Sequence, residues 1–492
     1  MDIGIPLSDD SVRLLFSPGC GSEQAGTTLA SRPSYHPETF RPLTFFDAAA
    51  RFRGGDDDPR SYLERCLQVV GQREPVVQAW VLRNEPDARA AADASAARWK
   101  SGQPLSAIDG MPIGIKDLIE TRDMPTQMGC AAYVDNFPKR DSALVQALRE
   151  AGAVVLGKVV TTELGGSHPG PTTNPFDPRR TPGGSSSGSG AAVAAGMVPV
   201  CIGTQVGGSV VRPASFCGNW ALKPTFGAIN RGERLGSSQG HIGVHANSPV
   251  DMWNVAFEMA VRAGGDPGHP GLFGPLEPPQ PVRPQQLVLM ETSAWTALDV
   301  ASRDAFEQVL EALARHGVVV VRRGDSPLVE AFERSLGRAG ALNADIAAYE
   351  SRRSLESTVA QHPGKLSRKG MAKLERGRRL SLQDYRRCLQ ERDDIRRRVA
   401  QLAPLGDALI SLASPGPAPV FEPDAARPTG DAAFNYPASL AGLPVVSVPL
   451  LAVGGMPVGV QLVGQPHTDA RVVGLARWLQ QNVPAVAVDA TQ

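Results

Sequence analysis

Neither sign of charge dominates this 492-residue chain, in which 50 Lys and Arg residues face 50 Asp and Glu. A balanced chain offers no broad electrostatic attraction to nucleic acid or to a membrane surface, so neither is expected as a partner. Cysteine is scarce and unpatterned. The six residues, at positions 20, 66, 130, 201, 217 and 388, form no C-x-x-C pair and no disulfide-like framework. That pattern points to a reducing compartment, with burial as their usual role. No apolar run approaches the about 18 residues that would read as a membrane span. The opening MDIGIPLSDDSVR lacks the basic stretch and apolar core of a secretory signal. A cytoplasmic location is the expectation. With 42% hydrophobic and 20% charged residues, the composition is that of an ordinary globule. The length allows several average domains or one large α/β domain.

What is abundant is Gly, Ser and Ala between residues 181 and 227, TPGGSSSGSGAAVAAGMVPVCIGTQVGGSVVRPASFCGNWALKPTFG. Flexible linkers share that richness but lack the apolar run Ala191 to Val200 that sits between two Gly-Gly-Ser steps. Glycine pairs directly before Ser185 and Ser209 mark places where backbone must come close to something. Well upstream of both serines, GMPIGIKD carries Lys116.

Residues 1–42 have few periodic apolar positions and read as an irregular or partly helical N-terminal extension. From Leu43 the spacing turns helical, with Phe45, Ala49 and Phe52 on one face and a second amphipathic stretch around Tyr62, Leu63 and Cys66. Residues 86–100 are Ala-rich and predict a helix. In GMPIGIKD the alternation of Ile113 and Ile115 predicts a strand ending at Lys116. Asp141 reads as the N-cap of a helix that Gly152 stops, followed by a buried strand over residues 153–156. A Pro-rich hinge at residues 275–284 reads as a lobe boundary, because strand (287–290), helix (Phe306, Val309, Leu310, Leu313) and strand (318–321) follow it. Residues 326–402 read as charged helices. The interleaving of Arg378, Arg379 and Arg396 to Arg398 with Glu375, Asp384, Glu391, Asp393 and Asp394 makes them solvated faces, not a nucleic-acid patch. Two buried strands and a final helix around residues 472–479 close the chain.

Lys116, Ser185 and Ser209 in their spacing, with FNYPASLAGLPVVSVPL and GMPVGVQLVG near the C-terminus, resemble the amidase signature family over about residues 43–480. The resemblance implies an α/β fold with a mixed central β-sheet covered by helices on both faces, forming one catalytic domain over 43–485 with a variable helical region at about 326–402. It implies amide hydrolysis through an acyl-enzyme on a Ser-cisSer-Lys triad: Ser209 as nucleophile, Ser185 after a cis Gly184-Ser185 bond as relay, and Lys116 as base. The base must be neutral, which burial in the apolar frame of Met111, Pro112, Ile113 and Ile115 would favour. The N–H groups of Val206, Gly207, Gly208 and Ser209 are the candidate oxyanion donors. The substrate is expected to be a small-molecule amide and the assembly a homodimer; no cofactor and no metal is called for.

Three positions depart from the commoner family pattern. Gln205 and Gly240 stand where Asp is frequent, and Arg212 lies three residues beyond Ser209 instead of two. Arg212 therefore reads either as a carboxylate anchor or as a loop brace, the brace being favoured. Glu163, Gly184 and His168 are further substrate-binding candidates, and Thr162, Gly165 to His168, Met124 to Cys130 and Phe434 to Pro437 candidate pocket walls.

Competing readings remain on the same residues. GSSSG (184–188) fits the GxSxG elbow that would make Ser186 the nucleophile of an α/β-hydrolase esterase. A phosphate loop is disfavoured without a GK[ST] ending. His241 and His245 are spaced i, i+4 but read as ordinary loop histidines, with no acidic ligand nearby. The resemblance also permits an amidase subunit that passes ammonia to a partner within an amidotransferase complex.

Overall fold

The computed structural model describes residues 34–232 and 236–490; most of the expected N-terminal extension, residues 1–33, lies outside them. The described part of that segment packs on the core. Tyr35 is buried, its ring meets Phe40 and Phe176, and its N–H donates to Gly455 O at 2.9 Å.

Among the described residues one 12-stranded sheet runs through the molecule. Its strands are β1 (Trp80–Arg83), β2 (Pro112–Lys116), β3 (Val154–Val159), β4 (Val200–Gln205), β5 (Trp220–Lys223) and β6 (His241–Ala246). The second half supplies β7 (Gln286–Leu289), β8 (Val319–Val321), β9 (Ala408–Leu412), β10 (Val445–Val453), β11 (Met456–Val463) and β12 (Val486–Val488). They lie in the order β1-β3-β2-β4-β6-β5-β10-β11-β9-β7-β8, with β12 beside β10. β2 is parallel to both β3 and β4, β7 is parallel to β8 and β9, and the centre is antiparallel. The sheet is thus mixed, as the resemblance implies. The strands on either side of the Pro-rich stretch join the same sheet.

Both faces of the sheet are covered, which is why its strands read as almost unbroken apolar runs. Alternate residues go to opposite faces. Val155, Val200, Ile202, Val446 and Val448 enter a core with Phe45, Leu144, Met252, Phe306 and Val472, from helices on one side. Val154, Leu156 and Cys201 enter another with Leu63, Ala88 and Ala191 to Val193, on the other side. A third cluster, with Leu342, Ile346, Ile395 and Leu440, holds the helices Ala339–Gln361, Leu382–Gln401 and Tyr436–Ala441 against the second half of the sheet.

Two local expectations are corrected. The helix Ala143–Glu150 has Ser142, not Asp141, at its N-cap. The Asp141 carboxylate is spent instead on the Arg122 N–H at 2.8 Å and on Arg149 at 3.1 Å. His241 and His245 are not loop residues but both lie in β6, fully within the sheet. Four residues of strand separate them by about 13 Å, so one metal ion could not take both.

Candidate active site

The site forms where β2 and β4 end, at the carboxyl edge of parallel strands where α/β sheets leave a crevice. Strand alternation decides what faces it. Ile113 and Ile115 of β2 and Ile242 and Val244 of β6 enter the core on one side. Lys116, Gly203, Gln205, His241 and His245 are left for the opposite face. That face is covered by the helices Ser187–Ala194 and Val211–Cys217, all of whose residues are buried. The Gly-rich start of the first helix has a packing reason. A Cβ at Gly188 would run into the backbone of Ala79 and Val160, so this helix lies directly on main chain.

Lys116 is completely buried. Its Nζ lies 2.7 Å from Ser185 Oγ, 2.9 Å from Ser186 Oγ, 2.8 Å from Thr204 Oγ1 and 3.3 Å from Thr204 O. Among the described residues no carboxylate pairs with it. The neighbouring Asp117 instead faces Lys158 at 3.1 Å. Burial therefore pushes the Lys116 ammonium well below the ordinary lysine range. The buried His245 imidazole is held neutral, down to about 3, by desolvation first and second by the repulsion a protonated Lys116 would exert. Neither of its ring nitrogens has a hydrogen-bond partner among the described residues. It fits there because Gly203 has no side chain: a Cβ would come within 3.1 Å of His245 Nε2 and 2.8 Å of Ser186 Oγ.

The serines are not equivalent. The Gly184-Ser185 peptide is cis, and Ser185 O accepts from Thr162 N at 3.2 Å. The Ser186 hydroxyl is saturated: besides Lys116 it accepts from Thr204 N and donates to Thr204 O, both at 3.2 Å. Ser187 Oγ donates to Val160 O at 3.3 Å. Ser209 is only half-buried, and its hydroxyl has no partner among the described residues. Its carbonyl accepts from Ser186 N at 3.3 Å, which ties the two Gly-Gly-Ser loops together. The N–H groups of Val206, Gly207, Gly208 and Ser209 are likewise without partners among the described residues.

The other candidates separate. The Arg212 guanidinium, lowered to about 10 mainly by burial, donates through Nη2 to Gly184 O at 2.6 Å and to Thr429 Oγ1 at 3.1 Å. Its Nε has no partner among the described residues. Gly184 is closely walled, since a Cβ there would meet Thr429 Cγ2 at 2.9 Å and Thr162 Cγ2 at 3.0 Å. Glu163 is committed elsewhere: its carboxylate accepts from Ser367 N at 2.9 Å and from Ser367 Oγ, at the start of the helix Arg368–Arg379. His168 is exposed and contributes its carbonyl to Glu163 N at 3.0 Å. Of the pocket-wall segments, Met124 and Phe434 are core residues, whereas the Tyr436 ring stands against Gly207.

Sequence reasoning missed Thr204, Asn343, Gln239 and Ser439. Thr204 and Ser439 lie inside quoted motifs, so their place was marked but not their role. Asn343 lies in a helix of the variable region, far along the chain from the turn it touches, and nothing local announces it.

Among the described residues no group of three or more His, Cys, Asp or Glu side chains is arranged to hold a metal, and no helix is long and apolar enough to cross a membrane. The Amidase family model matches residues 61–473. The chain is 32% identical to a glutamyl-tRNA(Gln) amidotransferase subunit from Chloroflexus aurantiacus, over 88% of this chain and 94% of that protein. It is 31% identical to AtzE, a 1-carboxybiuret hydrolase subunit from a Pseudomonas species, over 87% of this chain and 95% of that protein. A crystal structure of an amidase superposes with a TM-score of 0.77 at 28% identity, covering 90% of this chain and all of its own. A buried lysine among serine hydroxyls, a cis Gly-Ser step and a match across most of the chain lead to one assignment: the protein belongs to the amidase signature family and is an amidohydrolase.

Proposed function

We propose that the protein hydrolyses the C–N bond of a small-molecule amide through an acyl-enzyme on Ser209. The observation that carries this is Lys116: fully buried, unpaired with any acid among the described residues, and 2.7 Å from Ser185 Oγ. A neutral amine there accepts a proton, where an ammonium could only donate. Ser209 attacks the carbonyl carbon; its proton passes to Ser185 Oγ as the Ser185 proton passes to Lys116 Nζ. The N–H groups of the 206–209 turn receive the oxyanion. The proton then returns to the leaving nitrogen, the C–N bond breaks, and water repeats the sequence on the acyl-enzyme to release a carboxylic acid. All protons are supplied and recovered within the triad and by water.

The saturated Ser186 hydroxyl argues against the esterase-elbow reading, because its oxygen is already engaged three ways. Arg212 serves as a brace through Gly184 O and Thr429 Oγ1. The similarity to a subunit of an amidotransferase supports a second reading, in which the chain delivers ammonia to a partner.

One set of assays separates these. The purified chain, given a panel of aryl, aliphatic and carboxylate-bearing amides, is expected to release ammonia or amine unaided. Ser209→Ala is expected to be inert and Ser186→Ala to keep its acyl-enzyme chemistry. Turnover by Ser209→Ala at the wild-type rate would exclude the mechanism. Activity appearing only with an added partner would favour the subunit reading.

A further inference from the structure

Oxyanion donors work by being aimed before charge develops, so what fixes their direction matters as much as their presence. In a trans peptide the C=O and the following N–H point in opposite directions within one plane. Whatever holds the carbonyl of residue i therefore aims the N–H of residue i+1. In the turn after β4 three successive carbonyls are held. Val206 O accepts from Asn343 Nδ2 at 2.9 Å, Gly207 O from Ser439 Oγ at 2.6 Å, and Gly208 O from Arg212 N at 2.9 Å. The matching N–H groups, those of Gly207, Gly208 and Ser209, are without partners among the described residues, as is that of Val206 before them.

The third tie is ordinary helix geometry; the first two are side chains from distant elements. Asn343 comes from the helix Ala339–Gln361 and Ser439 from the helix Tyr436–Ala441. Both are themselves locked. Gln205 Nε2 donates to Ser439 Oγ at 3.0 Å, which leaves the Ser439 proton for Gly207 O. The Gln205 Oε1 meanwhile accepts from Val210 N at 2.8 Å and Val211 N at 3.0 Å, beyond the turn. Asn343 Nδ2 shares its second proton with Gln239 Oε1 at 2.9 Å, and Gln239 Nε2 donates back to Asn343 O at 3.4 Å. The amide of Asn343 thus faces two acceptors and has one orientation. Steric walls complete the frame. A Cβ on Gly207 would meet Tyr436 Cε1 at 3.1 Å and Asn343 Oδ1 at 3.3 Å, and one on Gly208 would meet Ala432 Cβ at 2.8 Å.

We propose that Asn343 and Ser439 are positioning residues that aim the oxyanion-binding N–H groups of Gly207 and Gly208. The assignment rests on the acyl-enzyme reading above. It ties part of the variable helical region to the chemistry, because that region reaches through Asn343 to the turn that would carry the charge.

The test compares wild type, Asn343→Ala, Ser439→Ala and Ser209→Ala on one amide from the panel, with a trifluoromethyl ketone of matching acyl group as a tetrahedral-adduct probe. Asn343→Ala and Ser439→Ala are expected to lower kcat at least tenfold, with KM within twofold of wild type. The inhibition constant of the ketone is expected to rise by the factor by which kcat/KM falls, because both report the oxyanion and neither reports ground-state binding. Wild-type kcat in both variants, or a loss carried by KM with unchanged ketone affinity, overturns the assignment. Should Asn343→Ala melt below the assay temperature, Ser439→Ala, which removes a single oxygen, decides alone. An active Ser209→Ala control would overturn the acyl-enzyme reading itself, a result distinguishable from fully active positioning variants.

Discussion

Lys116 concentrates the electrostatic problem of this fold in one atom. An ammonium at Nζ would be a buried cation with only hydroxyl and carbonyl oxygens for company. Such a charge is costly, and a lysine relieves the cost by losing its proton. The groups facing it do not reverse that. His245 stays neutral, and Asp117 gives its charge to Lys158. The native pKa is lowered, so kcat/KM should rise with pH along one ascending limb and level off before the usual lysine range, as the neutral fraction reaches one. Lys116→Met should remove the limb together with the activity. A pH–rate profile measured on both proteins checks this; a limb that persists in Lys116→Met would assign it to another group. The strand-ending lysine and its apolar frame were readable in GMPIGIKD. Its saturation by Ser186 and Thr204 and its proximity to His245 were not, because they depend on β2, β4 and β6 lying side by side, an order that residue spacing does not encode.

At the scale of elements, the helix Arg368–Arg379 is tied to the site loop by one carboxylate. Ser367 is its N-cap, accepting from Gly370 N at 3.1 Å, and Glu163 accepts from both Ser367 N and Ser367 Oγ. A negative charge at a helix N-terminus is also favoured by the helix dipole. Glu163, a substrate-binding candidate by its position in the sequence, has its carboxylate in this latch. Glu163→Ala should cost about 1.5–3 kcal/mol, the range for hydrogen bonds to a charged group. It should also raise hydrogen–deuterium exchange in amides 368–379 above that in the neighbouring helix Leu382–Gln401. Equal exchange in wild type and variant would show that the helix is held by its apolar contacts alone. Those contacts, Leu355, Leu366 and Leu374 against Cys130 and Ala132, explain why the helices of residues 326–402 were legible as helices but not placeable. Their polar faces are marked by local charge pairs such as Arg378–Glu375 and Arg398–Asp394, while their apolar partners come from elsewhere in the chain: Cys130 and Ala132 for Leu355, Leu366 and Leu374, and Val288, Leu409 and Val463 for the cluster of Leu342, Ile346 and Ile395.

For the whole molecule, an even charge balance hides several ionisable groups taken out of water, and these set how stability responds to pH. Lys223 is the clearest. It is completely buried, donates to Leu443 O and to Pro224 O, and is lowered to about 7 by burial, against a smaller opposing pull from Asp469. In the unfolded chain the same amine titrates near about 10.4. Between these values the unfolded state holds one more proton than the native state, so stability rises with pH. From about pH 7 to about pH 8.5 Lys223 alone should add roughly 1.5 kcal/mol, at about 1.4 kcal/mol per proton and pH unit. Lys116 acts in the same direction. Glu333, raised to about 7 by burial, works the other way, since its native carboxyl gives up its remaining proton over the same interval and offsets about 0.4 kcal/mol. Above about pH 8.5 the buried thiols take over. Cys66 is pushed up to about 12, and Cys130, Cys201, Cys217 and Cys388 are raised by burial as well, so unfolding then releases protons and stability falls. That every described cysteine is buried follows the reading of their scattered spacing, whereas the lysine under the sheet had no signature, since LKP reads equally as a strand end at the surface. Urea midpoints should therefore climb between about pH 7 and about pH 8.5 and then decline, and in Lys223→Met the climb should shrink by the Lys223 share. Parallel pH dependences in the two proteins would mean that Lys223 keeps its proton in the native state, its two carbonyl acceptors outweighing the cost of burial.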